Sequence, residues 1–252
     1  MPDIGRPRPR DIAEALALLT RLPVSVIPPM RGAAAAWAWP LAGAAVGLLG
    51  ALTAWAAMGL GLGAQVAAAL ALGMQALATG ALHEDGLADC ADGFWGGTTR
   101  ERRLAIMSDS RIGSYGALGL ILVILLRWSA LTVLIRAGAE WEALIAAGAL
   151  SRWPMAALLW ALPPARADGL SRLVGRPDNR ALALGGGIAL ALALVATGSG
   201  SAGLGAALAA AVVAGVWILL VRARLGGQTG DTCGAVQQLS ETAVLLTLLA
   251  GI

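Results

Sequence analysis

Apolar stretches long enough to cross a bilayer recur along this chain, separated by short polar segments rich in glycine or arginine. A crossing helix needs about 20 mostly apolar residues. The pattern predicts seven of them, at 34–60, 64–82, 115–135, 141–162, 181–198, 202–221 and 236–252. The last is short and starts polar, with Gln237, Gln238, Ser240 and Glu241. A membrane β-barrel would show short alternating segments instead. Ahead of the first span, Ile12, Ala15, Leu16, Leu19 and Leu22 recur at helical spacing, which predicts a helix lying along the membrane surface. The expected fold is all-α: a polytopic integral membrane helical bundle with residues 1–252 as one domain. Gly43 and Gly47 stand four apart within the first span, a spacing that lets two helices approach closely.

Charge fixes the orientation. Only 13% of residues are charged, against about a quarter in soluble domains. All 18 basic residues are arginine. With the N-terminus in the cytoplasm and the spans alternating, 15 of the 18 fall on the cytoplasmic side, the bias expected of a bacterial inner membrane protein. The outside loops hold only Arg136. The cytoplasmic face then carries the N-terminal segment 1–32, the loop 83–113 and the glycine-rich loop 222–235. Segment 1–32 has arginines throughout and an apolar part broken by Glu14 and Arg21, so no signal peptide is expected there. Cys90 and Cys233 lie far apart with no CxxC pair, which argues against a disulfide framework or a zinc site.

The chemistry gathers in "ALHEDGLADCADGFWGGTTRERRLAIMSDSRIG", residues 81–113. Asp85, Asp89 and Asp92 are spaced i, i+4, i+7 and share one face of a helix continuing from the second span. Like charges at that spacing repel, and the repulsion grows beside a low-dielectric bilayer. A divalent cation among them would relieve it, and clustered carboxylates favour Mg²⁺. The alternative is a solvated loop whose acids pair with Arg100, Arg102 and Arg103. His83 could be a ligand, a base or an interfacial side chain, while Glu84 should point away from the Asp85 face. The chain is expected to turn at Gly93 and Gly96-Gly97. A capping box at Thr98–Glu101 predicts a short helix to about Met107. Beyond it, Asp109 could complete the metal set, or cap the helix and pair with Arg111. Arg111 has the planar fork that suits phosphate.

Two arginines fall within spans, where a charge costs at least about 2.5 kcal/mol on insertion scales and must face protein or a watery cavity. Arg152, followed by Pro154, is read as reaching an anionic substrate group; Arg127 is read as snorkelling or pairing with a buried acid. In "RLGGQTGDTCGA", residues 224–235, Gly226, Gly227, Thr229 and Gly230 offer turns and exposed amides suited to phosphate. Asp231 could join the carboxylates from across the bundle. Together these pieces point to Mg²⁺-assisted phosphoryl chemistry at the inner membrane face.

The motifs "LLTRLPV", "WPLAGAAVG", "HEDGLADCADG", "MSDSRIGSYG", "LSRW" and "LGGQTGDTCGA", in that order over nearly the whole chain, resemble the cobalamin synthase family, adenosylcobinamide-GDP ribazoletransferase. The resemblance implies transfer of adenosylcobinamide phosphate from adenosylcobinamide-GDP to α-ribazole or its 5′-phosphate, with release of GMP and a requirement for Mg²⁺. By the matching motifs, Asp85, Asp89 and Asp92 would ligate metal, with Asp109 and Asp231 as candidates. His83 would be a base or orienting group, and Arg111 and Arg152 would hold phosphates. The partners implied are these small molecules and the bilayer, with no nucleic acid; self-association stays open. A CDP-alcohol phosphotransferase also uses an Asp-rich membrane helix, but the match to its signature fails at Asp89. A cation-coupled transporter would place its acids near the midplane between repeated halves, whereas these lie at the membrane edge and no repeat is evident.

Overall fold

The computed structural model describes residues 6–26 and 28–251. Residues 1–5 and 27 of the N-terminal segment, and the final residue of the last expected span, lie outside the described residues. The elements are α1 (Arg10–Leu19), α2 (Trp39–Gly59, entered through a 3-10 turn at Gly32–Ala38), α3 (Gly63–Thr79), α4 (Leu82–Gly96), α5 (Arg100–Ile106), α6 (Ser114–Arg136), α7 (Glu140–Ala161), α8 (Leu170–Val174), α9 (Asn179–Thr197), α10 (Gly200–Leu225) and α11 (Gly230–Leu249). Among the described residues there is no strand, only an isolated bridge between Pro164 and Gln228.

Five of these helices are long and apolar enough to cross a membrane: α2 with its 3-10 entry, α6, α7, α9 and α10. Leu48, Leu52, Leu122, Leu126, Leu208 and Leu219 stand exposed on the outer faces, as lipid contact requires of a chain with so little charge. The protein is an all-α, multi-pass membrane protein. Two expected spans differ. The second is not continuous with the aspartate helix: the chain bends by 90° between α3 and α4. Gly80 (φ 65°) and Ala81 (φ 56°) make this elbow in left-handed conformations. For alanine that conformation costs roughly 1–2 kcal/mol, so packing must hold it. The seventh expected span starts earlier than its apolar pattern, at Gly230, and is too polar to pass as a lipid-facing helix. Its early residues, from Thr232 to Ser240, are almost all buried, because α11 packs among α4, α6, α7 and α10.

Small residues set the tightest crossing. Gly43 and Gly47 of α2 lie on α7, where an added Cβ would overlap the carbonyl oxygens of Gly148 and Leu144 respectively. Both obstacles are backbone and cannot rotate away. A Gly43→Ala variant is therefore expected to lose about 1–3 kcal/mol, the usual cost of overpacking, measured as a lower melting temperature in detergent.

The N-terminal helix departs from a purely interfacial role. Helix α1 buries Asp11 and Glu14 together with Ala15 and Leu19. Asp11 accepts from Arg31 Nη1 (2.6 and 2.8 Å) and Trp37 Nε1 (2.7 Å), and Glu14 accepts from the Gly32 amide. Polar bonds thus dock α1 on the start of α2, while Ile12 stays exposed.

Candidate active site

The connections after α3, α5, α7 and α10 meet at one end of the bundle, tied together by arginines. Arg100 donates to the carbonyls of Leu225 (2.6 Å) and Ala165 (2.7 Å), Arg103 to that of Arg224 (3.1 Å), and Arg224 to that of Phe94 (3.2 Å). Cations at the C-terminus of α10 also complement its dipole. The alternative of a solvated loop with acids paired to Arg100, Arg102 and Arg103 is not what is found among the described residues: Arg100 and Arg103 hold backbone carbonyls instead. Helix α5 is capped by Thr99, one residue after the start of the expected box, which accepts from the Arg102 amide (3.2 Å).

Helix α4 runs through Gly93 to Gly96 without the expected turn at Gly93. Its three aspartates part company. Asp92 is buried, and its two oxygens accept from the backbone amides of Gly113 (2.7 Å) and Gly116 (2.9 Å). It therefore clamps the first turn of α6, where four amides lack helical partners. A Cβ on Gly116 would overlap that carboxylate, which explains the glycine. Replacing Asp92 with Ala is expected to cost about 1–3 kcal/mol through the orphaned amides, seen as faster hydrogen exchange at the start of α6.

Asp85 is exposed and Asp89 half-buried. Both line a cavity of about 490 Å³ together with Asp109 and Arg111. Asp231, in the first turn of α11, comes to the same acids from across the bundle because Gly86 lets the helices touch: a Cβ there would stand 2.7 Å from the Asp231 carbonyl oxygen. Burial, then the charges of Asp231 and Asp85, push the Asp89 carboxyl up to about 7. Burial likewise raises Asp231, against the opposing charge of Arg166. Asp109 pairs with Arg111 through two bonds (2.7 and 3.1 Å), which hold its carboxyl down at about 2.

The glycine loop does less than its sequence suggests. The Gly226 amide donates to the Arg222 carbonyl to end α10, and Gly227 packs on Pro163 and Ala165. The Gly226 amide is taken, so Gly226 is corrected from phosphate cradle to structural turn, while Gly227 is fixed by its close approach to the Pro163 carbonyl and Ala165. Thr229 and Gly230 do line a second cavity, of about 200 Å³, with His83, Asp85, Asp231 and Arg166. Arg166 Nη1 lies 3.6 Å from Asp231 Oδ2. Nothing in the residue pattern marks Arg166's place; pairing of 163–165 with Gln228, the Arg100 bond to the Ala165 carbonyl and its own bond to the Leu104 carbonyl bring it there.

Arg152 is also corrected. It is 2% exposed, and its Nη1 donates to Glu241 Oε2 (3.0 Å), to Ser151 Oγ (2.8 Å) and to the Gly148 carbonyl (3.3 Å). Of the two readings open for Arg127, pairing with a buried acid is the one found: it donates to Glu241 Oε1 (2.6 Å) and also to Gln238 and Gln75. Glu241 thus holds both arginines. Gln238 extends the network to Glu84 (2.9 Å), which also lines the cavity of about 490 Å³ with Asp85 and Asp89 rather than lying clear of them. Sequence reasoning missed Glu241, although the polar start of the last expected span was the signal.

The carboxylates suit a hard divalent ion in a particular way. Among the described residues no three His, Cys, Asp or Glu side chains are gathered closely enough to hold an ion by themselves. Mg²⁺ does not need such a cage: it is usually held by one or two carboxylates with waters and substrate phosphates completing the shell. Asp85, Asp89 and Asp231 crowd like charges beside two cavities lined by guanidinium groups, which fits that mode.

Comparison with known proteins places the chain in a family. An adenosylcobinamide-GDP ribazoletransferase of Mesorhizobium japonicum is 46% identical over 243 residues, covering 94% of this chain and 91% of that protein. Proteins of the same name from Bradyrhizobium diazoefficiens and Azorhizobium caulinodans are each 45% identical, covering 95% of this chain and 93% and 95% of their own lengths. No solved structure matches. The match to the family described as cobalamin-5-phosphate synthase runs over residues 11–249, taking in the docked first helix, the elbow and its aspartates, and the helix that carries Asp231 and Glu241, and the chain belongs to that family.

Proposed function

We propose that this protein transfers the adenosylcobinamide phosphate group from adenosylcobinamide-GDP to α-ribazole or its 5′-phosphate, releasing GMP, at the cytoplasmic face of a bacterial inner membrane. The observation that carries the proposal is the meeting of Asp85, Asp89 and Asp231 beside two cavities, one bearing Arg111 and the other Arg166. The relatives' name supplies the reaction; the arginine bias of the loops supplies the side.

Asp89 and Asp231 would hold Mg²⁺, with Asp85 close by. The ion supplies charge neutralisation for the pyrophosphate oxygens. Arg166 and Arg111 bind phosphate oxygens, a geometry the guanidinium fork matches. Asp85 lines both cavities, so it orients the acceptor's ribose hydroxyl and takes its proton. The hydroxyl oxygen forms a bond to the phosphorus nearest the corrinoid arm. The bond from that phosphorus to the GMP oxygen breaks, and GMP leaves with the electron pair. Arg152 and Arg127 take no part beyond holding the helices that carry these groups.

The test is turnover by the purified protein in lipid with adenosylcobinamide-GDP, α-ribazole and Mg²⁺. GMP should appear in a one-to-one ratio with the joined product. Chelation should stop it, and returned Mg²⁺ should restore it. GMP release that persists in chelator would remove the metal from the proposal, and no product under any condition would remove the reaction.

A further inference from the structure

The cavity of about 200 Å³ beside Asp85 has walls of two kinds. Leu19, Trp39, Met155 and Leu159 belong to the main apolar cluster of the bundle. Asp85, Arg166 and Asp231 bring charge. Two further features mark it. Trp39 is 2% exposed and His83 1%, and Trp39 Nε1 and both ring nitrogens of His83 are buried without a hydrogen-bond partner. Native structures leave few such groups, and each costs about 1–3 kcal/mol unless something answers it. Here two of them line one cavity.

The missing partner must be mostly apolar, to suit the leucine and methionine walls. It must also carry a ring atom that can hydrogen-bond with an indole N–H or an imidazole. The volume is too small for a corrinoid macrocycle. A guanine ring placed against the Leu19, Met155 and Leu159 walls would turn polar edges toward side chains that cannot answer them, and burying them unmet is costly. Charged groups on one part of the lining suit a ribose and its substituents.

We infer that this cavity is the base subsite for the acceptor: a ribonucleoside whose base is an apolar fused ring with a hydrogen-bonding nitrogen. The base sits among Leu19, Trp39, Met155 and Leu159, with Trp39 Nε1 or His83 meeting its nitrogen. The ribose extends toward Asp85 and Asp231. Because Asp85 also lines the larger cavity with Arg111, the sugar hydroxyl reaches the border between the two spaces. Trp39 and His83 become determinants of acceptor choice. This inference rests on the transferase reading above.

Trp39→Phe tests it, since it keeps an aromatic ring and removes the N–H. In the full-length protein in lipid nanodiscs, KM for α-ribazole should rise about tenfold, the loss expected for one buried hydrogen bond. KM for adenosylcobinamide-GDP should stay within twofold. Equilibrium binding of α-ribazole alone, with neither donor nor metal, should weaken by the same factor. Leu159→Phe, which narrows the cavity from α7, should give the same split and guards against a folding defect in the first variant. A rise confined to the donor's KM, or acceptor constants unmoved in both variants as an acyl chain in the cavity would leave them, overturns the inference. If the wild-type protein binds α-ribazole in a Trp39-dependent way but releases no GMP, the subsite stands and the proposed reaction falls.

Discussion

A Glu241→Ala variant is expected to lose about 3–5 kcal/mol of stability, enough to prevent recovery of folded protein from detergent. Removing one member of a buried ion pair has that cost because the remaining charge is stranded. Here Arg152 would lose its ion-pair partner, and Arg127 would keep only Glu84, 3.9 Å from its Nη1. Arg127 and Arg152 both donate to the Glu241 carboxylate, and both are almost fully buried within the bundle. Glu241→Gln keeps the shape and one acceptor oxygen but no charge, so it should fall between wild type and Ala. The measurement is the fraction of monodisperse protein after extraction, followed by thermal melting. The double variant Arg152→Met/Glu241→Gln removes one charge of each sign and should recover part of the loss. If Glu241→Ala melts as the wild type does, the network is not what holds α6, α7 and α11 together.

Asp85→Ala should behave in the opposite way, with turnover falling by about 10²–10⁴, the range for a lost general acid or base. Its melting temperature should stay near that of the wild type, because Asp85 is exposed and its removal relieves crowding with Asp89. Asp92→Ala provides the internal contrast. It sits on the same helix and in the same spacing motif, yet its oxygens hold the Gly113 and Gly116 amides. It should lose stability first and activity only as a consequence. Equal damage to turnover from both variants, at equal melting temperatures, would show that the aspartates act as one set and that the structural division between them has no functional meaning.

The division also marks how far the sequence could be read. Apolar length located the membrane helices well, because bilayer thickness imposes it on every crossing segment. The paired glycines at 43 and 47 were correctly read as a close contact, and pairing with a buried acid was one of the two readings of Arg127. Some of the failures concerned which of two distant groups would meet, and others the local course of the backbone. Arg152 was assigned to substrate because its partner lies 89 positions on in the sequence. Gly226 suits phosphate as readily as a turn, because a glycine's freedom serves a tight turn and an anion cradle equally well. Helical spacing put three aspartates on one face but could not show that the amides of Gly113 and Gly116 would take the third. The elbow at Gly80 and Ala81 was invisible because alanine carries no signature for a left-handed backbone.

The order of synthesis gives the Glu241 network a further meaning. Arg127 and Arg152 are translated and inserted well before the acid that neutralises both, which comes only with the last helix. Until α11 arrives, Arg152 lacks its acid and Arg127 has only Glu84 of α4, 3.9 Å from its Nη1. The last helix also brings Asp231 to the acids of α4. Charge matching and site assembly are therefore completed by the same late docking event, and a half-built copy, exposed to membrane quality control by its stranded Arg152, should be removed before it can bind substrate.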